Sequence, residues 1–132
     1  MRLQPDQIQT QAVTGYGLGW IALNGDKFTH SLIISSAGLR QKWPFSDPNS
    51  LGEMAFSGLQ ELDIELLIYG SGDSIVFAPA EWLRELTRRG IGVETMDTKA
   101  ACRTYNILAG EGRKVAAALL IQGGTKENQL EL

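Results

Sequence analysis

The chain has 132 residues, 43% of them hydrophobic and 20% charged, with a formal net charge of −3. That length suits a single domain, expected over residues 1–121, and the composition is that of a soluble globular protein rather than a disordered one. Residues 1–79 carry four basic and eight acidic side chains, residues 80–120 seven and five, and residues 121–132 one and two. No segment forms the basic stripe that would neutralise several phosphates, so nucleic acid is not an expected partner. The longest apolar run, Val115 to Ile121, is far too short to span a bilayer, so no membrane is expected either. The opening Met1–Asp6 has neither the apolar core of a secretory signal nor repeated arginines, and a cytoplasmic address follows as the expectation. Cys102 is the sole cysteine, which excludes an internal disulfide and any multi-cysteine metal site.

Trp20–Leu23 and Lys27–Ile34 flank Asn24-Gly25, a dipeptide suited to a type I′ turn, and so predict a hairpin. Alternation places Phe28, His30, Leu32 and Ile34 on one inner face of the second strand, with Lys27, Thr29 and Ser31 on the other. A further strand is expected over Leu39–Trp43, ended by Pro44. Ser50 and Glu53 have the spacing of a capping box, predicting a helix over Leu51–Leu62 that Gly52 and Gly58 weaken. Glu65–Tyr69 reads as a buried strand, closed by Gly70-Ser71-Gly72-Asp73, and Ser74–Phe77 as a shorter strand beyond it. Pro79 can open an amphipathic helix over Ala80–Arg89, with Trp82, Leu83 and Leu86 on one side. A strand over Ile91–Glu94 leads to Asp97, which can cap a helix over Thr98–Ala109 whose buried stripe includes Ala101, Tyr105 and Leu108, with Gly110 as its exit. Val115–Ile121 is apolar at every position, as a central strand covered on both faces requires. Residues 122–132 lack periodicity and are expected to form a flexible tail. The fold class is therefore α/β: a central mixed sheet with flanking helices and an additional N-terminal antiparallel layer, in which strand–helix–strand crossovers are right-handed.

The runs Gly92–Thr98, Ala100–Asn106 and Gly110–Arg113, with Gly70-Ser71-Gly72 after a buried strand, resemble a small α/β family. It is the family of largely uncharacterised bacterial proteins that includes mitochondrial respiratory complex I assembly factor 3, and the resemblance spans roughly residues 3–121. It implies a three-layer arrangement around a central mixed sheet. It does not imply an enzyme, because the family has no established catalytic residues to carry over. The resemblance to the bacterial members, which lack a presequence, carries the expectation that this chain lacks one too.

Chemistry-bearing residues gather at two places. The carboxyl ends of adjacent strands, where ligands bind in open α/β sheets, carry Ser71, Asp73, Thr95, Asp97 and Thr98, a candidate ligand cleft. The glycines there suit a phosphate loop or simply a tight turn, and the absence of a third glycine at Ile75 counts against a dinucleotide. Asp97 brings negative charge to the helix start, which disfavours phosphate and favours a neutral or cationic group, or else it is only an N-cap. Lys99, Arg103 and Asn106 share a polar helix face, either solvated or a partner surface. His30 and Cys102 could pair as a nucleophile, but both sit among apolar residues and read as core. No catalytic residue, metal site or cofactor is expected. The chain reads as a non-enzymatic accessory or protein-interaction module of the assembly-factor kind, with an unidentified protein partner; the alternative is a small-molecule-binding protein or enzyme using the strand-end cleft.

Overall fold

A computed structural model describes residues 11–122. Among these residues eight strands fall into two sheets. The first is antiparallel, ordered β1 (Val13–Gly17), β2 (Trp20–Leu23), β3 (Asp26–Phe28). The second is mixed, ordered β5 (Arg40–Lys42), β4 (Leu32–Ser35), β8 (Val115–Leu119), β6 (Leu66–Gly70), β7 (Gly92–Met96). The predicted turn is present: Asn24 and Gly25 take φ of 47° and 94°, which sets Ala22 opposite Lys27 and Leu23 opposite Asp26.

β8 pairs antiparallel with β4 and parallel with β6. Every one of its residues is buried because the sheet is covered on both sides. On one side α3 (Thr98–Gly110) and the small sheet pack over Leu32, Ile34, Ile68, Ala117 and Leu119. On the other, Ile33, Leu67, Tyr69, Ala116 and Ala118 face α1 (Gly52–Phe56) and α2 (Arg84–Arg88). Trp43, Phe56 and Tyr69 meet edge to face in this second core, with ring centroids 5.4–6.2 Å apart. The alanines of β8 leave room for these rings. The chain steps outward from β6 to β7 through α2 and returns over β6 to β8 through α3. Crossovers of one hand in opposite directions put the two helices on opposite faces, giving the three layers.

Several expectations fail locally. The strand expected over residues 27–34 breaks after Phe28, because the chain leaves one sheet for the other; Thr29 to Ser31 are the passage, and His30 is half-buried beside Phe28 at 5.7 Å. The single inner face expected there is also wrong, since Leu32 and Ile34 enter one core and Ile33 the other, while Ser31 is buried and accepts from the Ile121 amide at 2.8 Å. The helix expected over residues 51–62 is two short pieces, α1 and a 3-10 turn at Leu59–Glu61, with another 3-10 turn, Pro48–Ser50, just before them. Ser50 does not cap it, because its hydroxyl donates to Asp47 Oδ2 at 3.0 Å, and Gly58 turns left-handed at φ 95°. Residues 74–77 form no strand. Ser71 Oγ accepts from the Val76 amide at 2.9 Å and donates to the Ser74 carbonyl at 2.7 Å, winding this stretch on itself and away from any ladder. Pro79 caps a 3-10 turn, Ala80–Leu83, rather than opening an α-helix, and α2 occupies only Arg84–Arg88. Gly110 is the last helical residue of α3, and the left-handed exit falls at Gly112, φ 83°. Of the expected tail, residues 123–132 lie outside the described residues. Gln122 is held, its Oε1 accepting from the Asp73 amide at 2.8 Å.

Candidate functional site

The carboxyl ends of β6 and β7 converge on the first turn of α3, and glycine makes this possible. A Cβ on Gly70 would stand 3.0 Å from both Thr98 Cα and Ala101 Cβ, so only glycine lets the helix start sit directly on the strand end. The junction is then sewn by backbone. The Thr98 amide donates to the Gly72 carbonyl at 2.9 Å, and Thr98 Oγ1 accepts from the Gly72 amide at 2.9 Å while donating to the Leu120 carbonyl at 2.7 Å. Asp97 Oδ1 accepts from the Ala100 amide at 2.9 Å, the geometry of an N-cap.

Above this junction lies a cleft of about 350 Å³ between the β1–β2 turn and the start of α3. Tyr16, Leu18, Trp20, Asp73, Lys99 and Gln122 supply most of its character, with Asp97 and Thr98 at its base. Three of the five expected cleft residues, Asp73, Asp97 and Thr98, thus meet on one concavity. The other two do not reach it. Ser71 is fully buried and committed to its own loop, while Thr95 lies half-buried on β7 beside Tyr69, on the α1–α2 side. A second concavity of about 440 Å³ opens at the opposite end of the sheet, where Arg113 and Lys114 are already paired with Glu65 and Asp63. The Arg113 guanidinium bonded to Glu65 lowers that carboxyl below its ordinary pKa.

The polar face of α3 divides. Lys99 opens onto the cleft. Arg103 Nη1 donates to the Tyr16 hydroxyl at 2.9 Å. Asn106 is spent internally: Oδ1 accepts from the Val13 amide at 2.8 Å and Nδ2 donates to the Val13 carbonyl at 2.7 Å, clamping β1 to the helix. Tyr105 reinforces the clamp by donating to the Gln11 carbonyl at 2.9 Å.

Cys102 is fully buried, and burial pushes its thiol up to about 12, with Asp97 adding to the shift and Arg103 opposing it. His30 Nδ1 lies 3.0 Å from the Ser31 carbonyl, and no hydrogen bond joins this ring to Cys102. Among the described residues no group of three or more His, Cys, Asp or Glu side chains is placed to hold a metal ion, and no helix is long and apolar enough to cross a membrane. Tyr16, Leu18, Trp20 and Gln122 were among the cleft residues not expected from the sequence, and Lys99 was expected on a partner face instead. A signal existed in Gly15-Tyr16-Gly17-Leu18-Gly19-Trp20: a Cβ at Gly15 would come within 3.3 Å of the Trp20 ring, and one at Gly17 would collide with it, so alternating glycines make the seat for that indole.

The sequence and fold are similar to those of known proteins. The chain is 31% identical over 131 residues to human NADH dehydrogenase [ubiquinone] 1 alpha subcomplex assembly factor 3, covering 97% of this chain and 71% of that protein. It is 27% identical over 122 residues to a protein of Francisella tularensis named 13 kDa major membrane protein, covering 91% and 99%. The solution structure of a Bordetella pertussis protein described as a Mth938-like domain superposes with a TM-score of 0.79 at 33% identity, covering 98% of this chain and 96% of that one. Residues 13–120, which run from the first strand to just past the last, match the family described as "Protein of unknown function (DUF498/DUF598)", and the chain belongs to that family.

Proposed function

We propose that this protein is a non-enzymatic accessory module that acts by binding another protein, in the manner of an assembly factor. The observation that carries this reading is the fate of the polar groups at the strand ends: Ser71, Asp97 and Thr98 each satisfy a backbone group of their own junction. These three side chains hold the fold together and are not paired with one another as nucleophile and base, the arrangement covalent catalysis uses. The protonated, enclosed Cys102 offers no substitute. The human relative's name states assembly of NADH dehydrogenase, and the likeness extends over nearly the whole of this chain. The test is deletion of the gene in its own host, followed by native gels stained for NADH dehydrogenase. Loss of the assembled complex, restored by the wild-type chain, is the expected result. Full assembly without this protein would refute a role with that enzyme.

A second reading rests on the cleft, whose volume of about 350 Å³ falls in the range of small-molecule sites. Asp73 and Lys99 line it without an ion pair among the described residues, leaving a carboxylate and an ammonium for a polar ligand. A thermal-shift screen against metabolites tests this directly, since a ligand at 100 times its Kd stabilises the folded state by about 2.7 kcal/mol. Shifts abolished by Asp73→Ser or Lys99→Ala would favour the cleft; no shift across the library would discard it.

A further inference from the structure

A sheet edge carries unpaired backbone donors and acceptors, and proteins that are to stay single shield such edges. Two of the four edges among the described residues are short and charged, and a third is occupied at its first residue. β5 is three residues long and presents Arg40 and Lys42; β3 is equally short and presents Asp26 and Lys27. On β1, the Asn106 amide occupies both backbone groups of Val13.

β7 differs. It is five residues long with one charge, Glu94, and among the described residues it pairs only with β6. The Gly92 amide donates to the Glu65 carbonyl at 3.2 Å, and the Met96 carbonyl accepts from Ser71 at 2.9 Å, so Gly92, Glu94 and Met96 turn their backbone groups inward to β6. In a parallel ladder the alternate residues face the other way, which aims the N–H and C=O of Val93 and Thr95 outward from the edge. The side chains alternate as well. Val93 and Thr95 lie level with Leu67 and Tyr69 of the second core, whereas exposed Glu94 lies level with Ile68 on the α3 side and makes no ion pair among the described residues.

The geometry points to β7 as the docking edge for an extended segment of a partner protein, one that places a lysine or arginine beside Glu94 between two apolar residues. This deepens the accessory reading above and rests on it. Main-chain bonds to Val93 and Thr95 would supply the pairing, the apolar neighbours would extend the second core, and the cation would meet Glu94. A second copy of this chain fits poorly. In the antiparallel register that uses both Val93 and Thr95, it sets Glu94 directly opposite Glu94 of the other copy, and like charges so placed destabilise a strand pair.

The probe is a capped seven-residue peptide of alternating valine and lysine, titrated to millimolar concentration into the ¹⁵N-labelled full chain. Shifts and slowed hydrogen exchange at the Val93 and Thr95 amides are expected, and the same peptide with a central proline should give neither. Thr95→Pro removes one outward donor at an edge, where proline is tolerated, and should abolish the response while Thr95→Val keeps it. Should Thr95→Pro fail to fold, Glu94→Lys still decides: it should reverse the preference, so that a valine–glutamate peptide binds more tightly than valine–lysine. An unchanged preference, a response centred on Arg40–Lys42, or no response would overturn the proposal. If the peptide fails while deletion still abolishes the assembled complex, the docking edge is wrong and the accessory role stands; a peptide response with no deletion phenotype rejects the role in that enzyme and leaves the edge.

Discussion

Replacing Asn106 by alanine separates a clamp from a contact surface. Its amide makes two hydrogen bonds to Val13, 93 residues away, and Val13 itself is only 6% exposed. Truncation therefore strips a partner from both backbone groups of one enclosed residue, and water has limited access to replace it. At about 0.5–1.5 kcal/mol for each net hydrogen bond, the loss is about 1–3 kcal/mol. For a domain of this size that lowers Tm by about 3–12 °C. Asn106→Asp should be no better, because a carboxylate keeps the acceptor for the Val13 amide and turns a second acceptor against the Val13 carbonyl. The comparison variant is Arg103→Ala, whose bond to Tyr16 is exposed and whose loss should leave Tm close to wild type. Thermal and urea unfolding of the three variants give the answer. Asn106→Ala melting within a degree of wild type would show that the clamp contributes nothing and return Asn106 to a surface role.

Asp97→Ala should cost about 0.5–2 kcal/mol by leaving the Ala100 amide without its cap, and Asp97→Ser should recover much of it; equal melting of all three proteins would contradict the capping role. Gly70→Ala should destabilise by about 1–3 kcal/mol, read by denaturant titration, because the new methyl meets helix backbone at Thr98 rather than a side chain that can swing aside. Tyr69→Phe should leave Tm unchanged or raise it, since the buried Tyr69 hydroxyl has no hydrogen-bond partner among the described residues and its removal relieves a desolvated polar atom. Burial raises Cys102 from 9.0 to about 12, and Tyr69 and Tyr105 from 10.0 to about 12, with Asp47 adding to the Tyr69 shift and the bond to Gln11 opposing that of Tyr105. The unfolded chain then releases these protons first, so stability is full below pH 9 and falls as pH rises from 9 to 12. Cys102→Ala should flatten the start of that decline in Tm, and rapid alkylation of the native thiol at neutral pH would contradict it.

What the sequence by itself determined was local, because the responsible interactions lie within a few residues of one another. Asn24-Gly25 can adopt positive φ at both positions, Asp97 sits three residues before the amide it caps, and the unbroken apolar run after Lys114 has nowhere to go but the middle of a covered sheet. Three of the residues expected at the strand ends met in one cleft for the same reason: the rule that ligands gather there depends only on strand direction. Tertiary structure decided whatever depended on a distant partner. Residues 27–34 look like one strand until the two sheets compete for them. Ser50 has the spacing of a cap, yet its hydroxyl bonds Asp47. Asn106 has the look of a surface residue in its helix, and only the return of β1 from 93 positions earlier consumes it. Likewise Thr95 lies in β7 near the end that meets the cleft, but the pleat turns it to the opposite face, and the order β8-β6-β7 leaves its backbone on an edge that no other described strand pairs with. Side-chain spacing records which groups could bond nearby; which of them remain free is set by where the rest of the chain comes to lie.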